Sequence, residues 1–283
     1  QNKYNQTLAS VNMLSLIDQA IAYSGCSRNI AQLFKRKWKS HLYGILPHPT
    51  EAKVLMLNEG NTWFLSHVCL NQDIYHNDIE LIKETIGKEL RISVNVLVNV
   101  LYYASYRYDK SKRQIHGVYV LEQDGSVTEL DKGSWIDLDT LKGLSLKLAE
   151  HKPLIEKYLT EIESGNIPEI RPPWSRAGWF NCASQWIEQE LSKLNYQRLS
   201  PPECIKSWGI SCVLRVNTSE GNIYLKEAST LPLFCDEPLF TRELASLFPK
   251  HIPTVLSVNL ESHWMLLADF GEPIGRGAPV KLF

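Results

Sequence analysis

Lys226 is the residue whose type and context most clearly suggest chemistry in this sequence. It ends a strand-like segment at residues 223–226, and two carboxylates, Glu237 and Glu243, follow where a helix is predicted. A lysine paired with a helix carboxylate can bind the phosphates of a nucleotide. The simpler interpretations are a solvated lysine at the edge of a strand and, for Glu237, a carboxylate favoured by the dipole at a helix start. The sequence alone leaves both interpretations open.

A second set of candidate residues lies on one predicted helix in the first half of the chain. Glu80 and Glu84 are four residues apart and therefore share a helix face, and Glu89 follows near the helix end. Carboxylates on one face of a helix can bind the Mg²⁺ ions that activate water for hydrolysis. A pair of solvated surface acids is the competing interpretation, and the sequence predicts no metal site.

Composition excludes several classes of protein. A chain of 283 residues predicts roughly two domains at about 150 residues each. Thirty basic and thirty-one acidic residues give a net charge of −1, which argues against a nucleic-acid-binding protein. No apolar run reaches the roughly 18 residues that span a bilayer, and the N-terminus lacks a signal-peptide pattern. Six cysteines without a C-x-x-C pair predict reduced, mostly buried thiols and a cytoplasmic protein without nucleic-acid or membrane partners.

The candidate residues must be positioned by two predicted units. Residues 1–40 are predicted to be a helical segment, with an amphipathic helix at 8–22 and a basic run at 28–40. Residues 41–164 are predicted to form an α/β unit with a mixed sheet. Apolar periodicity predicts its strands at 52–57, 62–65, 93–106, 114–122 and 135–136, and its helices at 77–90 and 153–163.

A proline-rich linker at 165–178 is predicted to separate the first unit from the second. Proline cannot donate to a strand ladder and restricts the residue before it to an extended conformation. The nearby Trp174 and Trp179 indicate that the linker packs against the protein. The second unit is predicted at 179–283, with helices at 179–194 and 239–248 and strands at 205–208, 212–217, 223–226, 254–259 and 264–268.

This order of elements, with a lysine on the third strand, resembles the small lobe of a protein-kinase-like fold. Specifically, the second unit resembles the N-terminal lobe of aminoglycoside-phosphotransferase-like kinases, an antiparallel sheet plus a helix. The residues that support this resemblance include Arg171-Pro172-Pro173-Trp174, Gly178-Trp179, Trp208, Val213-Leu214-Arg215-Val216, Tyr224-Leu225-Lys226, Glu237-Pro238, Ile252-Pro253-Thr254 and Met265-Leu266-Leu267.

The resemblance implies an ATP-dependent small-molecule phosphotransferase with ATP and Mg²⁺ as cofactors. It implies that Lys226 contacts the ATP phosphates and that Glu237, or alternatively Glu243, is the carboxylate partner of Lys226. Ser211 would lie in the nucleotide-covering loop, which has one glycine where protein kinases have three. Leu266 and Ala268 would lie in the hinge beside the adenine. The acceptor, an unidentified small molecule, and the oligomeric state stay undetermined, since fold alone does not fix function.

The family's catalytic residues are not matched in this sequence. Phosphoryl transfer needs an Asp near the acceptor and an Asn and an Asp for the metal ions. The sequence His76-Asn77-Asp78 is upstream of Lys226, and Lys83 stands where the Asn should be. Asp269-Phe270-Gly271 matches a magnesium-binding tripeptide of protein kinases. It follows Lys226 too closely for that role, so we interpret it as the exit from the hinge. The catalytic residues are therefore unknown, and the chain is expected to be a fragment without its catalytic lobe.

The first unit resembles, more weakly, a Nudix domain. Trp63-Phe64-Leu65 resembles the W-x-L-P sequence before the Nudix box, with Ser66 in place of proline. The Arg-Glu start and the adjacent glutamates of the box are absent from residues 79–89, which predicts a Nudix-like fold without hydrolase activity. The alternatives to a phosphotransferase are therefore a non-catalytic binding or regulatory protein and, more weakly, a Nudix-type hydrolase.

Overall fold

The computed structural model describes residues 38–76, 78–93, 96–129 and 133–271. These residues form a mixed α and β structure with several sheets. The strands are β1 (Lys39–Ile45), β2 (Val54–Glu59), β3 (Thr62–Phe64), β4 (Ser66–Leu70), β5 (Leu97–Asp109), β6 (Gln114–Gln123), β7 (Ser134–Ile136), β8 (Glu203–Trp208), β9 (Ser211–Thr218), β10 (Gly221–Ala228), β11 (Val255–Asn259) and β12 (Trp264–Ala268). The α-helices are α1 (Ile79–Leu90), α2 (Leu138–Gly143), α3 (Lys152–Ser164), α4 (Trp179–Leu194) and α5 (Glu237–Leu247).

The first half of the described chain contains two sheets. The larger has the strand order β4-β1-β6-β5, in which β1 runs parallel to β6 and antiparallel to β4. The smaller has the order β3-β2-β7. One face of the larger sheet packs against α1, and the other face packs against a core that includes residues of α2 and α3. The mixed sheet predicted for this half of the chain is therefore confirmed.

Helix α1 forms where the sequence predicts a helix, because its apolar residues repeat at helical spacing. Ile82 and Ile86 are fully buried on the face toward the larger sheet. The helix ends at Leu90 because Arg91 adopts a left-handed conformation, and its backbone N–H bonds to the carbonyls at the helix end. The bounds of this helix set the spacing of the three glutamates on its surface.

The second half contains helix α4 and a five-stranded antiparallel sheet of order β11-β12-β10-β9-β8. Helix α5 lies between β10 and β11 in the chain. Alternate residues of the central strands are buried against α4, with Leu214 and Leu225 fully inaccessible. The predicted strands and helices of this half are confirmed, with ends that differ by at most two residues.

The two halves share one hydrophobic core across the proline-rich linker. Trp174 of the linker is 2% exposed and clusters with residues of both halves. Its backbone carbonyl accepts a hydrogen bond from the amide of Asn99 on β5, at 3.3 Å, and its indole N–H donates to the carbonyl of Trp208, at 3.1 Å. The linker therefore packs against the protein as predicted, while the domain boundaries themselves stay a prediction.

Several predicted elements differ from the structure. Strand β1 begins at Lys39, two residues inside the segment predicted to be helical, and the rest of residues 1–40 lies outside the described residues except for Trp38. The strand predicted at 93–106 begins at Leu97 instead, because the chain first turns after α1. The sequence did not predict β4 or α2, which are only five and six residues long.

The thiols are less buried than the sequence predicts. Cys204 and Cys212 are buried, with their sulfur atoms 3.8 Å apart. Cys69 and Cys182 are exposed, and Cys235 is intermediate. Exposure at Cys69 and Cys182 follows from their places on the solvent-facing sides of β4 and α4. Cys26 lies outside the described residues. Among the described residues, no helix is long and apolar enough to cross a membrane.

Candidate functional site

The structure brings Lys226 and Glu237 together, one on the central strand of the five-stranded sheet and the other at the start of the helix that follows it. Lys226 lies on β10, the central strand of that sheet, and Glu237 is the first residue of α5. The ammonium of Lys226 donates to the carboxylate of Glu237, and both side chains stay partly exposed, at 27% and 30%. Of the two carboxylates that the sequence left open, Glu237 is therefore the ion-pair partner. Glu243 instead faces Arg242, at 3.4 Å.

The turn between β8 and β9 lies at the end of the same sheet. Ser211 is 5% exposed, and its hydroxyl accepts a hydrogen bond from the indole N–H of Trp208, at 2.6 Å. The Trp208 side chain is 46% exposed, and the ammonium of Lys206 lies 3.9 Å from its ring centre. The hydroxyl of Ser211 thus stabilises the turn by bonding to the side chain at its other end.

Leu266 and Ala268 lie on β12, next to the strand that contains Lys226. Leu266 is fully buried opposite Leu225, and Ala268 pairs with Ile223. The backbone N–H of Ala268 donates to the carbonyl of Thr254, at 2.9 Å, so this donor is already used within the sheet. The structure therefore places both residues beside β10 but does not leave the Ala268 amide available to a ligand.

Asp269-Phe270-Gly271 directly follows the last strand of the sheet. The Asp269 carboxylate accepts a hydrogen bond from the N–H of Gly271, at 2.9 Å, and the Phe270 side chain is 54% exposed. Gly271 has a φ of 97°, which favours glycine. This position is consistent with the interpretation of the tripeptide as the exit from β12.

Glu227 is a buried carboxylate that the sequence analysis missed. It is 2% exposed and accepts hydrogen bonds from the indole N–H groups of Trp179 and Trp264, the latter at 2.5 Å. Burial raises the pKa of Glu227 to about 7, and the two indole donors partly offset that increase. Strict alternation along β10 would have found it, because Ile223, Leu225 and Glu227 must then point to the face opposite Lys226.

The first half of the chain contains a second candidate site, a cavity of about 300 Å³ that we call the histidine cavity. Four imidazoles and one phenol meet there, from strands β1, β4 and β6 and from the segment before α3. The His41 and His116 rings stack with centres 4.6 Å apart, and Nδ1 of His41 lies 3.0 Å from Nε2 of His67. Tyr43 stacks on His67 and contacts the edge of His151, with ring centres 4.6 and 4.5 Å apart.

The imidazoles of the histidine cavity favour their neutral forms. Burial is the largest cause and lowers the pKa of all four, and it lowers that of His67 to about 4 with help from the neighbouring His41. Lys147 lies over the ring of Phe64, with 5.4 Å between its nitrogen and the ring centre. The sequence analysis missed this cluster, although period-two alternation on β1, β4 and β6 could have placed three of its histidines on one face.

The three glutamates of α1 each have a different environment. Glu80 forms an ion pair with Lys83, at 2.9 Å, and accepts a hydrogen bond from the backbone N–H of Cys204, at 3.0 Å. Glu84 forms an ion pair with Lys88, at 2.6 Å. Glu89 lines the histidine cavity. Across the described ranges, no group of three or more histidines, cysteines or acids could bind a metal ion.

Comparisons with known proteins give no family assignment. No family model matches the chain, and no curated protein matches it. Solved structures similar to 46% of it include a proposed oxidoreductase from Sinorhizobium meliloti (16% identity, TM-score 0.35), an ADP-ribose pyrophosphatase from Streptococcus suis (18%, 0.32) and a MutT protein from Methanosarcina mazei (15%, 0.29). The similarity covers 42% of the first protein and 96% and 99% of the other two.

Proposed function

We propose that the second half of this chain is the ATP-binding lobe of a small-molecule phosphotransferase of the aminoglycoside-phosphotransferase type. The observation that supports this best is the ion pair between Lys226 and Glu237. It joins the third strand of an antiparallel sheet to the helix that follows. In phosphoryl-transfer proteins of this layout, the lysine binds the α- and β-phosphates of ATP, and the helix carboxylate orients the lysine.

The exposure of the pair supports a binding role rather than a purely structural one. A partly exposed ion pair contributes about 0–1 kcal/mol to stability, so stability alone gives little reason for it. The Lys226 ammonium has three N–H donors, and Glu237 engages it while more than a quarter of the side chain faces solvent. A phosphate oxygen can therefore approach Lys226 without breaking the pair.

The turn from Trp208 to Ser211 is the proposed nucleotide-covering loop. Its Gly209 is exposed and has no atom near the position of a Cβ, so the backbone is open on that side. The hydrogen bond from Trp208 to Ser211 and the one from Trp174 to the Trp208 carbonyl fix the turn at two points. Ligand contacts by Ser211, by Leu266 and by atoms of Ala268 other than its engaged N–H are part of the proposal.

The proposal for this chain is nucleotide binding, with Mg²⁺ arriving together with ATP. Transfer also needs an Asp that orients the acceptor hydroxyl and ligands for the metal ions. The resemblance assigns these groups to the second lobe of the family, as it does the unidentified acceptor. Lys226 and Glu237 would hold the nucleotide phosphates in position for that chemistry.

Thermal unfolding with and without ATP and Mg²⁺ tests the proposal. A ligand that binds the folded protein raises its melting temperature. We expect this increase for the wild type and for Lys88→Ala, and we expect Lys226→Ala to lose it. Lys88 is a matched control, because it forms an ion pair with Glu84 on the surface of α1. No increase at millimolar ATP, or an equal increase in Lys226→Ala, would contradict the proposal.

A second candidate function is a non-catalytic binding role for the first half. Two observations favour it, the histidine cavity and the separate engagement of the α1 glutamates by Lys83, Lys88 and the Cys204 amide. The neutral rings of the cavity suit an uncharged or aromatic group, and Glu89 and Lys147 are the charged residues of its lining. Hydrolysis with Mg²⁺ instead needs several carboxylates on one centre.

The competing alternative, a Nudix-type hydrolase, is suggested by the names of the similar structures. Incubation of the protein with ADP-ribose and Mg²⁺ separates the two. We expect no release of product, and the same result for Glu84→Gln. Hydrolysis that requires Mg²⁺ and disappears in Glu84→Gln would establish the hydrolase instead.

A further inference from the structure

A cavity of about 670 Å³ lies where the linker and the start of α4 meet the first half of the chain. It is separate from the histidine cavity and from Lys226. Its lining comes from the segment between β1 and β2, the end of β6, helix α3 and the residues before and within the first turn of α4. Two of its buried polar side chains, Glu122 and Tyr158, have no role in the site around Lys226.

Glu122 is a buried carboxyl group with one oxygen left without a partner. It is 7% exposed, and its Oε1 accepts a hydrogen bond from the backbone N–H of Gly178 at the start of α4. Its Oε2 has no hydrogen-bond partner. The amide of Asn99 lies close enough to Glu122 to lower its pKa, and it donates to the carbonyl of Trp174, at 3.3 Å. An unpaired buried acceptor costs free energy, so a donor that reached this oxygen from the cavity would be favoured.

The groups around Glu122 determine which donor would suit it. Tyr158, 4% exposed, lines the cavity beside Glu122, and apolar side chains from β5, β6 and α3 complete the inner wall. The rim contains two further acids, Glu51 and Asp124, and one lysine, Lys53, which is already in an ion pair with Glu51. The cavity therefore combines an acidic lining with apolar and aromatic walls.

We propose that this cavity binds a small organic cation, an amine whose ammonium group forms an ion pair with Glu122. The ammonium supplies N–H donors to the orphan oxygen, and the phenol ring of Tyr158 attracts a cation through its face. The apolar walls suit the alkyl part of such a molecule and not a hydrated metal ion. Glu122 also accepts a hydrogen bond from the Gly178 amide. Binding of the amine in the cavity would therefore affect the contact between the two halves of the chain.

Protonation provides a test that is specific to Glu122. Burial raises its pKa to about 7, and the amides of Gly178 and Asn99 partly offset that increase. An ammonium binds the carboxylate and not the neutral acid, so affinity should rise by about tenfold from about pH 6 to about pH 8. The other titratable groups facing the cavity are Tyr158, His48, Glu51, Lys53 and Asp124.

Calorimetric titration of the full chain with diaminobutane tests the proposal, with uncharged butanediol of the same length as the control. We expect heat from the diamine only, with affinity that increases with pH. Glu122→Gln should abolish both the binding and its pH dependence, whereas Glu84→Gln, the same change on the surface of α1, should leave both unchanged. Tyr158→Phe, which removes only a hydroxyl, should preserve pH-dependent diamine binding.

Three results would overturn the proposal. The first is equal heats from the diamine and the diol, including no heat from either. The second is unchanged diamine binding in Glu122→Gln. The third is an affinity for the diamine that does not increase with pH. If Glu122→Gln does not fold, the pH dependence in the wild type and in Tyr158→Phe still decides the outcome. None of these measurements involves ATP, so the result is independent of the proposed nucleotide site.

Discussion

Ionisable side chains have opposite environments in the histidine cavity and at the Lys226–Glu237 pair. In the cavity, burial dominates and lowers the pKa of four imidazoles, so the histidines favour their neutral forms near neutral pH. At the pair, both side chains keep more than a quarter of their surface exposed and face an opposite charge. Desolvation therefore disfavours charge on the four histidines, whereas the second site is a solvent-accessible ion pair.

This difference indicates which ligands each site suits. A cavity with neutral rings offers stacking and hydrogen bonds, while a partly exposed ammonium offers charge to a phosphate. The buried carboxyls Glu122 and Glu227 add a further contrast, because burial raises the pKa of each to about 7. Burial has the same effect in all three cases, which is to favour the uncharged form.

The largest effect is expected from Trp174→Ala, which tests whether the two halves form one structure. Trp174 is 2% exposed in the core that the halves share and hydrogen-bonds to both. Loss of its side chain should lower the free energy of unfolding by about 3–5 kcal/mol. Denaturant unfolding should show one shifted transition. Two transitions, only one of them shifted, would mean that the halves unfold separately. Leu233→Ala is the control, since Leu233 is 85% exposed.

The next largest effect is a loss of folding stability that Glu227 causes as the pH rises. Its pKa is about 7 in the folded protein against an ordinary value of 4.5, so the folded state binds more protons between these values. The stability associated with its protonation is full below about pH 4.5 and is lost as the pH rises to about 7. Glu227→Gln should remove on the order of 2 kcal/mol of this pH dependence, measured by denaturant unfolding at several pH values. An unchanged pH profile would show that Glu227 is charged when folded.

A smaller pH dependence of folding stability, with the opposite sign, is expected from His67. Its pKa of about 4 lies below the ordinary 6.5, so the folded state binds fewer protons between these values. The stability it contributes is full above about pH 6.5 and is lost as the pH falls through about 4. His67→Gln should reduce this loss by on the order of 1 kcal/mol, after allowance for its partial exposure. His251→Gln, at an exposed position, is the control, and identical acid profiles of His67→Gln and wild type would contradict the neutral cavity.

The smallest effect on stability is expected from Lys226→Met. The ion pair with Glu237 is partly exposed, so its loss should change the free energy of unfolding by less than about 1 kcal/mol. Denaturant unfolding measures this without nucleotide. A loss above about 2 kcal/mol would mean that the pair is mainly structural, which would remove the contrast with the buried groups.

Local periodicity predicted much of the fold. Helix α1 is confirmed because its apolar residues follow a period of 3.6 over twelve residues. Strand β6 is confirmed because it contains a continuous apolar run, 118–121, rich in β-branched and aromatic residues. Strand β4 was missed because it has only five residues, with exposed His67 and Cys69 in alternation with the others. Short polar segments become strands through pairing with distant residues, here with β1, and sequence periodicity does not contain that pairing.

The candidate sites were predictable to different degrees. Lys226 and Glu237 are eleven residues apart on consecutive elements, so their pairing could be anticipated from the sequence. The histidine cavity joins His41, His67, His116 and His151, which are up to 110 residues apart (151 − 41). The sheet order β4-β1-β6 brings the first three together, and packing of the segment before α3 adds His151. The environment of Glu122 could not be predicted for the same reason, because its partner, the Gly178 amide, is 56 residues away in the sequence.

The most direct test of the nucleotide proposal compares two carboxylates on one helix. Calorimetric titration with ATP and Mg²⁺ should give an affinity about tenfold weaker for Glu237→Gln than for the wild type, because Lys226 loses the group that orients it. Glu243→Gln changes a carboxylate on the same helix that faces Arg242, and it should bind like the wild type. Equal weakening in both variants, or no binding by the wild type, would contradict the assignment of this lobe to nucleotide binding.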